Sequence, residues 1–296
     1  MKRENASSSS THPPEQAPGA PPNIVYILAD DMGFGDLGCN HPESSIPTPN
    51  LDRLAERGMR FTDAHATASV CTPSRYSILT GRYCWRTPLK RGVLWPWDPA
   101  LLEEDVLTVP ALLRQRGYRT ACIGKWHLGW DWATLDGQPP NRGVALGDIH
   151  WALRGGLEKN IDFGQPMRGG PIDHGFDTYF GVDVPNFPPY TWFEKDRVLD
   201  APASHKPDEM FGLPGRMKTG WRLEDVVPEC TRRAVSTIEE AGDDPFFLYF
   251  ALTSPHTPVA PNKAFVGQSG AGLYGDFVCE VDWVVGEVMD ALERRG

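Results

Sequence analysis

Apolar positions along the chain fall into two kinds of run, and the two alternate. Short unbroken runs rich in β-branched and aromatic residues read as strands buried in a parallel sheet: Asn23 to Ala29, Tyr118 to Gly124 and Pro245 to Leu252. Met59 to His65 reads as a shorter strand. Helical spacing fills the stretches between. Leu51, Leu54 and Ala55 share one face of a helix over Leu51–Arg57 that Thr48 or Asn50 could start and Gly58 ends. Thr108 is placed to cap a helix over Val109–Arg116, which Gly117 ends. Leu223–Ala241 has a helical pattern with Pro228 near its start. Phe277, Val281, Val284, Val285, Val288 and Leu292 recur at helical spacing, and Arg294 and Arg295 suit the C-terminus of that helix. Strands alternating with helices predict a doubly wound α/β fold, with a mostly parallel central sheet flanked by helices.

The remaining segments are irregular in pattern. Residues 1–22 are rich in Ser, Pro and Ala, predict disorder, and lack the apolar core of a signal peptide. Residues 83–107 hold Trp85, Trp95 and Trp97 among prolines, and cover for the core outweighs a substrate mouth as the expectation there. Residues 130–175 read as loop, and 182–222 as the region where substrate selectivity would lie. The 296 residues are 40% hydrophobic and 23% charged, as in a soluble globular domain, and no apolar run has the length of a membrane span. A net charge of −10 argues against a general nucleic-acid binder. The six cysteines form no C-x-x-C pair or zinc spacing, which predicts mainly reduced thiols.

Candidate chemistry collects where the strands end. Asp30 and Asp31 follow the first strand directly. Adjacent carboxylates there suit a hard cation, although an isolated Asp-Asp is more often a cap or a solvated turn. Cys71 precedes Pro73 and Arg75, so it is expected in a turn, with a helix starting near Pro73 or Ser74 and ending at Gly81. That gives Cys71 a positive local field, against the ordinary reading of a cysteine as a small buried hydrophobe. Lys125 and His127 follow the second long strand; two apart in extended chain, they would face one anion together. His256 lies between Pro255 and Pro258 after the third. His65 reads as structural, His174 as a weak candidate, and Asp36 as structural.

Four motifs then occur in order: Asn23 to Asp36 (N-I-V-Y-I-L-A-D-D-M-G-F-G-D), Cys71 to Arg82 (C-T-P-S-R…L-T-G-R), Gly124 to Gly129 (G-K-W-H-L-G) and Ser254 to Pro258 (S-P-H-T-P). Together they resemble the sulfatase family, of the arylsulfatase-like, alkaline phosphatase superfamily type. The resemblance covers 23–296 and implies a partial catalytic domain with an alkaline phosphatase-like fold. It implies that Cys71 becomes formylglycine, through a formylglycine-generating enzyme. It implies Ca2+, or Mg2+, on Asp30, Asp31 and residue 71. Arg75, Lys125 and His256 would then hold charge at the nucleophile and the sulfate, and His127 would serve as base. The substrate implied is a small-molecule or glycan sulfate ester, with no nucleic-acid or membrane partner. A phosphonate monoester hydrolase or phosphodiesterase of the same superfamily, or an inactive anion- or metal-binding fragment, are the alternatives. The Gly175 to Gly181 stretch resembles a family loop packed near the active site. The family's later Asp-Asn metal pair has no counterpart here, so a truncated chain with an open sheet edge is expected. Without a visible signal peptide the cytoplasm is the default location, although the family is often periplasmic or secreted.

Overall fold

The computed structural model describes Gly19, residues 21–149 and residues 154–296, so most of the expected disordered segment 1–22 lies outside the described residues. In chain order the elements are strand β1 (Ile24–Asp30), helices α1 (Pro49–Arg57), α2 (Cys71–Thr80) and α3 (Val109–Gln115), and strands β2 (Arg119–Lys125) and β3 (Thr178–Val182). Short strands β4 (Phe193–Glu194), β5 (Arg197–Val198), β6 (Ser204–His205) and β7 (Arg216–Met217) follow, then helix α4 (Val226–Glu239), strand β8 (Phe246–Pro255) and helix α5 (Gly272–Arg295). The main sheet has the order β1-β8-β2-β3-β4-β5, and β6 with β7 forms a separate two-stranded ribbon. The pairs β1–β8, β8–β2 and β2–β3 are parallel, while β4 and β5 turn back antiparallel at the far side.

Side chains alternate across the sheet with the period of two that a strand dictates. Cys122, Tyr179, Phe247 and Tyr249 face one core with Tyr76 and Leu79 of α2, Trp97, Trp126 and Trp130. Ile123, Phe180, Leu248 and Phe250 face the other with Val226 and Ala234 of α4 and Val281 and Val284 of α5. Helices on both faces of a parallel sheet make the predicted doubly wound architecture. The strands also approach closely at their carboxyl ends. A Cβ on Gly124 (φ +102°) would come within 2.0 Å of the Ala251 carbonyl oxygen, and one on Gly181 within 1.9 Å of the Gly124 oxygen.

Several expectations need correction. β1 is an edge strand whose residues are mostly half-buried, with Tyr26 exposed, whereas β8 is buried throughout. Residues 59–65 form no strand: they are exposed, with Met59 at 79% and Phe61 at 71%, because no described strand offers them a partner. Helix α2 starts at Cys71 itself, with extended Val70 as its N-cap. The bias that proline imposes on the residue before it yields here. First-turn N–H groups have no intrahelical acceptor, so Pro73 costs no hydrogen bond, and Thr72 is held from outside the helix. Gly81 (φ +66°) closes the helix as expected, its N–H donating to the Ser77 carbonyl.

Candidate active site

The carboxyl ends of β1, β2 and β8 and the N-terminus of α2 converge. Asp30, the last residue of β1, turns its carboxylate inward, with Oδ2 2.5 Å from Lys125 Nζ and 3.3 Å from Arg75 Nη2. Oδ1 of the same carboxylate lies 3.3 Å from Cys71 Sγ, and Lys125 Nζ lies 3.3 Å from that sulfur. The Arg75 guanidinium, fully buried, also donates to the Lys125 carbonyl oxygen at 2.8 Å. Asp30 and Lys125 are last-strand residues, and Arg75 is one turn into α2, so backbone regularity sets all three.

These charges decide one another's protonation. Burial opposes ionisation of Asp30, but the adjacent Lys125 and Arg75 cations outweigh it and hold its carboxyl far below the usual range. Burial pushes the Cys71 thiol up; Lys125 pulls it down and Asp30 raises it again, leaving the shift upward. The unmodified cysteine is therefore a thiol rather than the thiolate that its position at a helix N-terminus suggests. Asp30, Cys71 and His256 bring their ligating atoms within 4.8 Å of one another, the one such group of three found among the described residues. Asp31 stands outward, its side chain 60% exposed and its Oδ2 3.7 Å from His256 Nε2. His256 Nδ1 donates to the Thr257 carbonyl at 2.5 Å, which leaves Nε2 toward the cluster.

His127 is not in extended chain beside Lys125 as expected. Its φ is +54°, so it leaves the strand direction, and its Nε2 bonds the Leu94 carbonyl at 3.0 Å. Burial, with the Lys125 charge adding to it, drives its pKa well below the usual value, so the ring is neutral. Asp31 also has a left-handed backbone (φ +63°). Both are non-glycine residues in a region that L-residues seldom occupy, and both lie one or two residues past a strand end.

A cavity of about 660 Å³ opens on this centre, with Cys71, His127 and His256 among its lining residues. Trp95 stacks on Phe187 at 5.0 Å along it, so the aromatic 83–107 segment divides: Trp95 lines the mouth while Trp97 is buried in the core. Lys206, Met210 and Phe211, from the loop joining β6 to β7, form another wall within the predicted selectivity region. A second cavity, of about 500 Å³, runs from Asp30 and Cys71 along the free side of β1.

Other sequence candidates lie elsewhere. His174 precedes β3, at the amino end of the sheet and opposite the site, where its carbonyl accepts from Thr108. The Gly175-to-Gly181 loop also starts there: Phe176 stacks on Phe247 and Asp177 accepts from Thr120, so the expected proximity to the site fails for its first half. His65 pairs with Asp63 on the surface. Asp36 holds its turn, accepting from Gly33 N–H and from the Tyr274 hydroxyl. Sequence reasoning missed Asp183, the residue after β3, which accepts from His127 N–H and Trp130 Nε1–H. The rule that flagged Asp30, Lys125 and His256, chemistry just past a parallel strand, applies equally to it.

The sulfatase family model matches residues 22–296. Similar curated proteins include the N-acetylgalactosamine-6-O-sulfatase of Bacteroides thetaiotaomicron, 32% identical over 92% of this chain and 55% of its own length. Human arylsulfatase A is 37% identical over 93% of this chain and 49% of its own. A solved structure from a study of glycosaminoglycan metabolism by Bacteroides thetaiotaomicron superposes with a TM-score of 0.74 at 28% identity, over 92% of this chain and 59% of that one. The chain spans about half the length of the curated relatives it matches. With a family match over nearly its whole length and an alkaline phosphatase-like sheet, this chain belongs to the sulfatase family.

Proposed function

We propose that residues 23–296 carry the nucleophile and the first half of the ion-binding site of a sulfuric ester hydrolase, acting through formylglycine made from Cys71. The observation that carries this reading is the enclosure of Cys71 by Asp30, Lys125 and Arg75 in surroundings that keep its thiol protonated. A protonated thiol is a weak nucleophile. The same position filled by an aldehyde hydrate would present two oxygens to two cations and a carboxylate. Sγ here stands where one hydrate oxygen would sit.

Asp30, ionised by its neighbours and with Oδ1 turned to residue 71, and the exposed Asp31 suit a divalent cation, calcium or magnesium, that would acidify the hydrate. Arg75 and Lys125 offset the negative charge at residue 71. One hydrate hydroxyl attacks sulfur and gives up its proton, the sulfur–oxygen bond to the ester breaks, and the departing oxygen takes up a proton to leave as the alcohol. Lys125 and His256 hold the sulfate oxygens as charge builds on them. Donation from His256 Nε2 requires the doubly protonated ring, because Nδ1–H is given to Thr257. His127, buried and neutral, takes the proton from the second hydroxyl; the carbonyl re-forms and sulfate leaves. The aromatic cavity beside this centre suits the ring of an aryl or sugar sulfate ester.

The test is co-expression with a formylglycine-generating enzyme, followed by incubation with an aryl sulfate and mass spectrometry of the residue-71 peptide. Conversion of Cys71 is expected, together with a lasting sulfate adduct in His127→Ala. An intact cysteine after co-expression would overturn the reading. Turnover of a phosphonate ester in preference to the sulfate would move the chain to the phosphonate hydrolases of the same superfamily. Cys71→Ala should remove all turnover, and Cys84→Ala, buried away from the site, should not.

A further inference from the structure

Three buried residues from separate parts of the chain close a ring of hydrogen bonds behind the site. Thr72 Oγ1 donates to the His127 carbonyl at 3.0 Å and accepts from Leu94 N–H at 3.2 Å. The Leu94 carbonyl, in turn, sits 3.0 Å from His127 Nε2. A carbonyl only accepts, so Nε2 must carry the proton of the neutral ring. Nδ1 is buried without a hydrogen-bond partner among the described residues. The other side of the His127 peptide is held as well, its N–H donating to Asp183 at 3.2 Å. Phe187 meets the imidazole edge-on at 5.8 Å. These contacts fix a residue whose backbone, at φ +54°, is unfavourable without support.

We propose that Thr72 is a positioning residue: by holding the Leu94 peptide and the His127 carbonyl together it fixes His127 as the Nε2–H tautomer and leaves Nδ1 as the nitrogen that takes a proton. The base role of Nδ1 rests on the sulfatase reading above; the positioning does not. The device also links two motifs physically. The residue after Cys71 sets the ring of the residue two past Lys125, so nucleophile and base are aligned by one side chain. Thr72→Val keeps the shape and removes the hydroxyl. It leaves Leu94 N–H without its acceptor and His127 O without its donor, both buried, so the Leu94 carbonyl loses its fixed direction.

Long-range proton–nitrogen NMR of the imidazole in the 296-residue chain tests this without modification or turnover. The wild-type ring should show only the Nε2–H form. Thr72→Val should show a second, Nδ1–H form beside it, and Thr72→Ser, which restores the hydroxyl, should return to one form. Thr80→Val, at the other end of α2, should leave the ring unchanged. If Thr72→Val does not fold, Thr72→Ala serves in its place, and the wild-type spectrum alone still decides the tautomer. An Nδ1–H ring in the wild type, or a valine variant still wholly Nε2–H, overturns the proposal. So does a Thr80→Val variant that scrambles the ring equally. A chain with the expected ring whose Cys71 stays unconverted after co-expression would remove the reaction and leave the positioning standing. In a form with turnover, Thr72→Val should lower kcat by on the order of tenfold with KM little changed.

Discussion

Asp30 shows how a single side chain can be both the site's anchor and its weak point. It is buried between Lys125 and Arg75, and removing either cation strands a charge in the interior. Lys125→Met should therefore destabilise the chain by about 3–5 kcal/mol in urea unfolding. Adding Asp30→Asn should give less than the sum of the two single losses; strict additivity would mean that the pair is not coupled. Because the folded carboxyl titrates below its unfolded counterpart, the stability it contributes is present above the ordinary carboxylate pKa of about 3.9 and fades as pH falls beneath it. Glu280 behaves in the opposite sense. Burial raises its folded pKa to about 7, against the lowering effect of Asn262 N–H, from an unfolded 4.5. Its contribution is complete below 4.5 and is lost as pH rises through about 7. Glu280→Gln should flatten the fall in unfolding free energy over that interval, and an unchanged slope would exclude Glu280 as its source. Neither behaviour was legible in the sequence: Asp30 stood out as a candidate by its place after a strand, but the cations that ionise it come from 45 and 95 positions away along the chain.

At the scale of elements, the long apolar runs were legible because their burial leaves no competing explanation. β2, β8, α4 and α5 stand close to where periodicity put them, and so does the alternation that makes the sheet parallel. Boundaries that depend on distant partners were not legible. Helix α1 starts at Pro49 with Thr48 as its N-cap, one of the two starts the sequence offers, but the Thr48 side chain makes no cap bond. Its first N–H groups are capped from across the fold: Asp282 of α5 accepts from Asn50 N–H at 3.0 Å and Leu51 N–H at 2.8 Å. Asp282→Ala should cost about 1–2 kcal/mol and speed amide exchange at Asn50 and Leu51, while Asp282→Asn should retain most of the protection. If exchange there did not change, the cap would be incidental. The start of α2 escaped notice for a related reason, since the rule against a helical residue before proline is local and the bonds to Thr72 are not. His127 departs from the strand direction because Leu94 and Asp183 hold it, and no spacing within Gly-Lys-Trp-His announces either.

For the whole molecule, the free side of β1 and the unpaired segment beside it are the main departure from a closed fold. Tyr26 is exposed on β1, Met59 and Phe61 are exposed in the segment after α1, and uncovered apolar surface invites association between copies. Met59→Lys with Phe61→Lys should reduce light scattering on concentration without lowering the urea midpoint; unchanged scattering would place the association elsewhere. The ion site proposed above should bind weakly. Two carboxylates fall well short of the six to eight oxygens calcium usually takes, so calorimetry should give a Kd on the order of 10⁻⁴ M or weaker. Tight stoichiometric binding would show that other residues complete the site. The burial of Arg75 has a consequence for timing. On the reading proposed above, the converting enzyme would recognise Cys71 with its neighbours Pro73 and Arg75, and in the folded chain the Arg75 guanidinium is 1% exposed, locked to Asp30 and the Lys125 carbonyl. Asp30 and Arg75 are both made early, whereas Lys125 and the strands that shelter the guanidinium come later in the chain. If Cys71 is converted as proposed, conversion is expected while the N-terminal part is still open. In a race between modification and folding, a variant that folds faster should emerge with more unconverted cysteine, and the already folded protein should resist the enzyme that readily modifies its peptide.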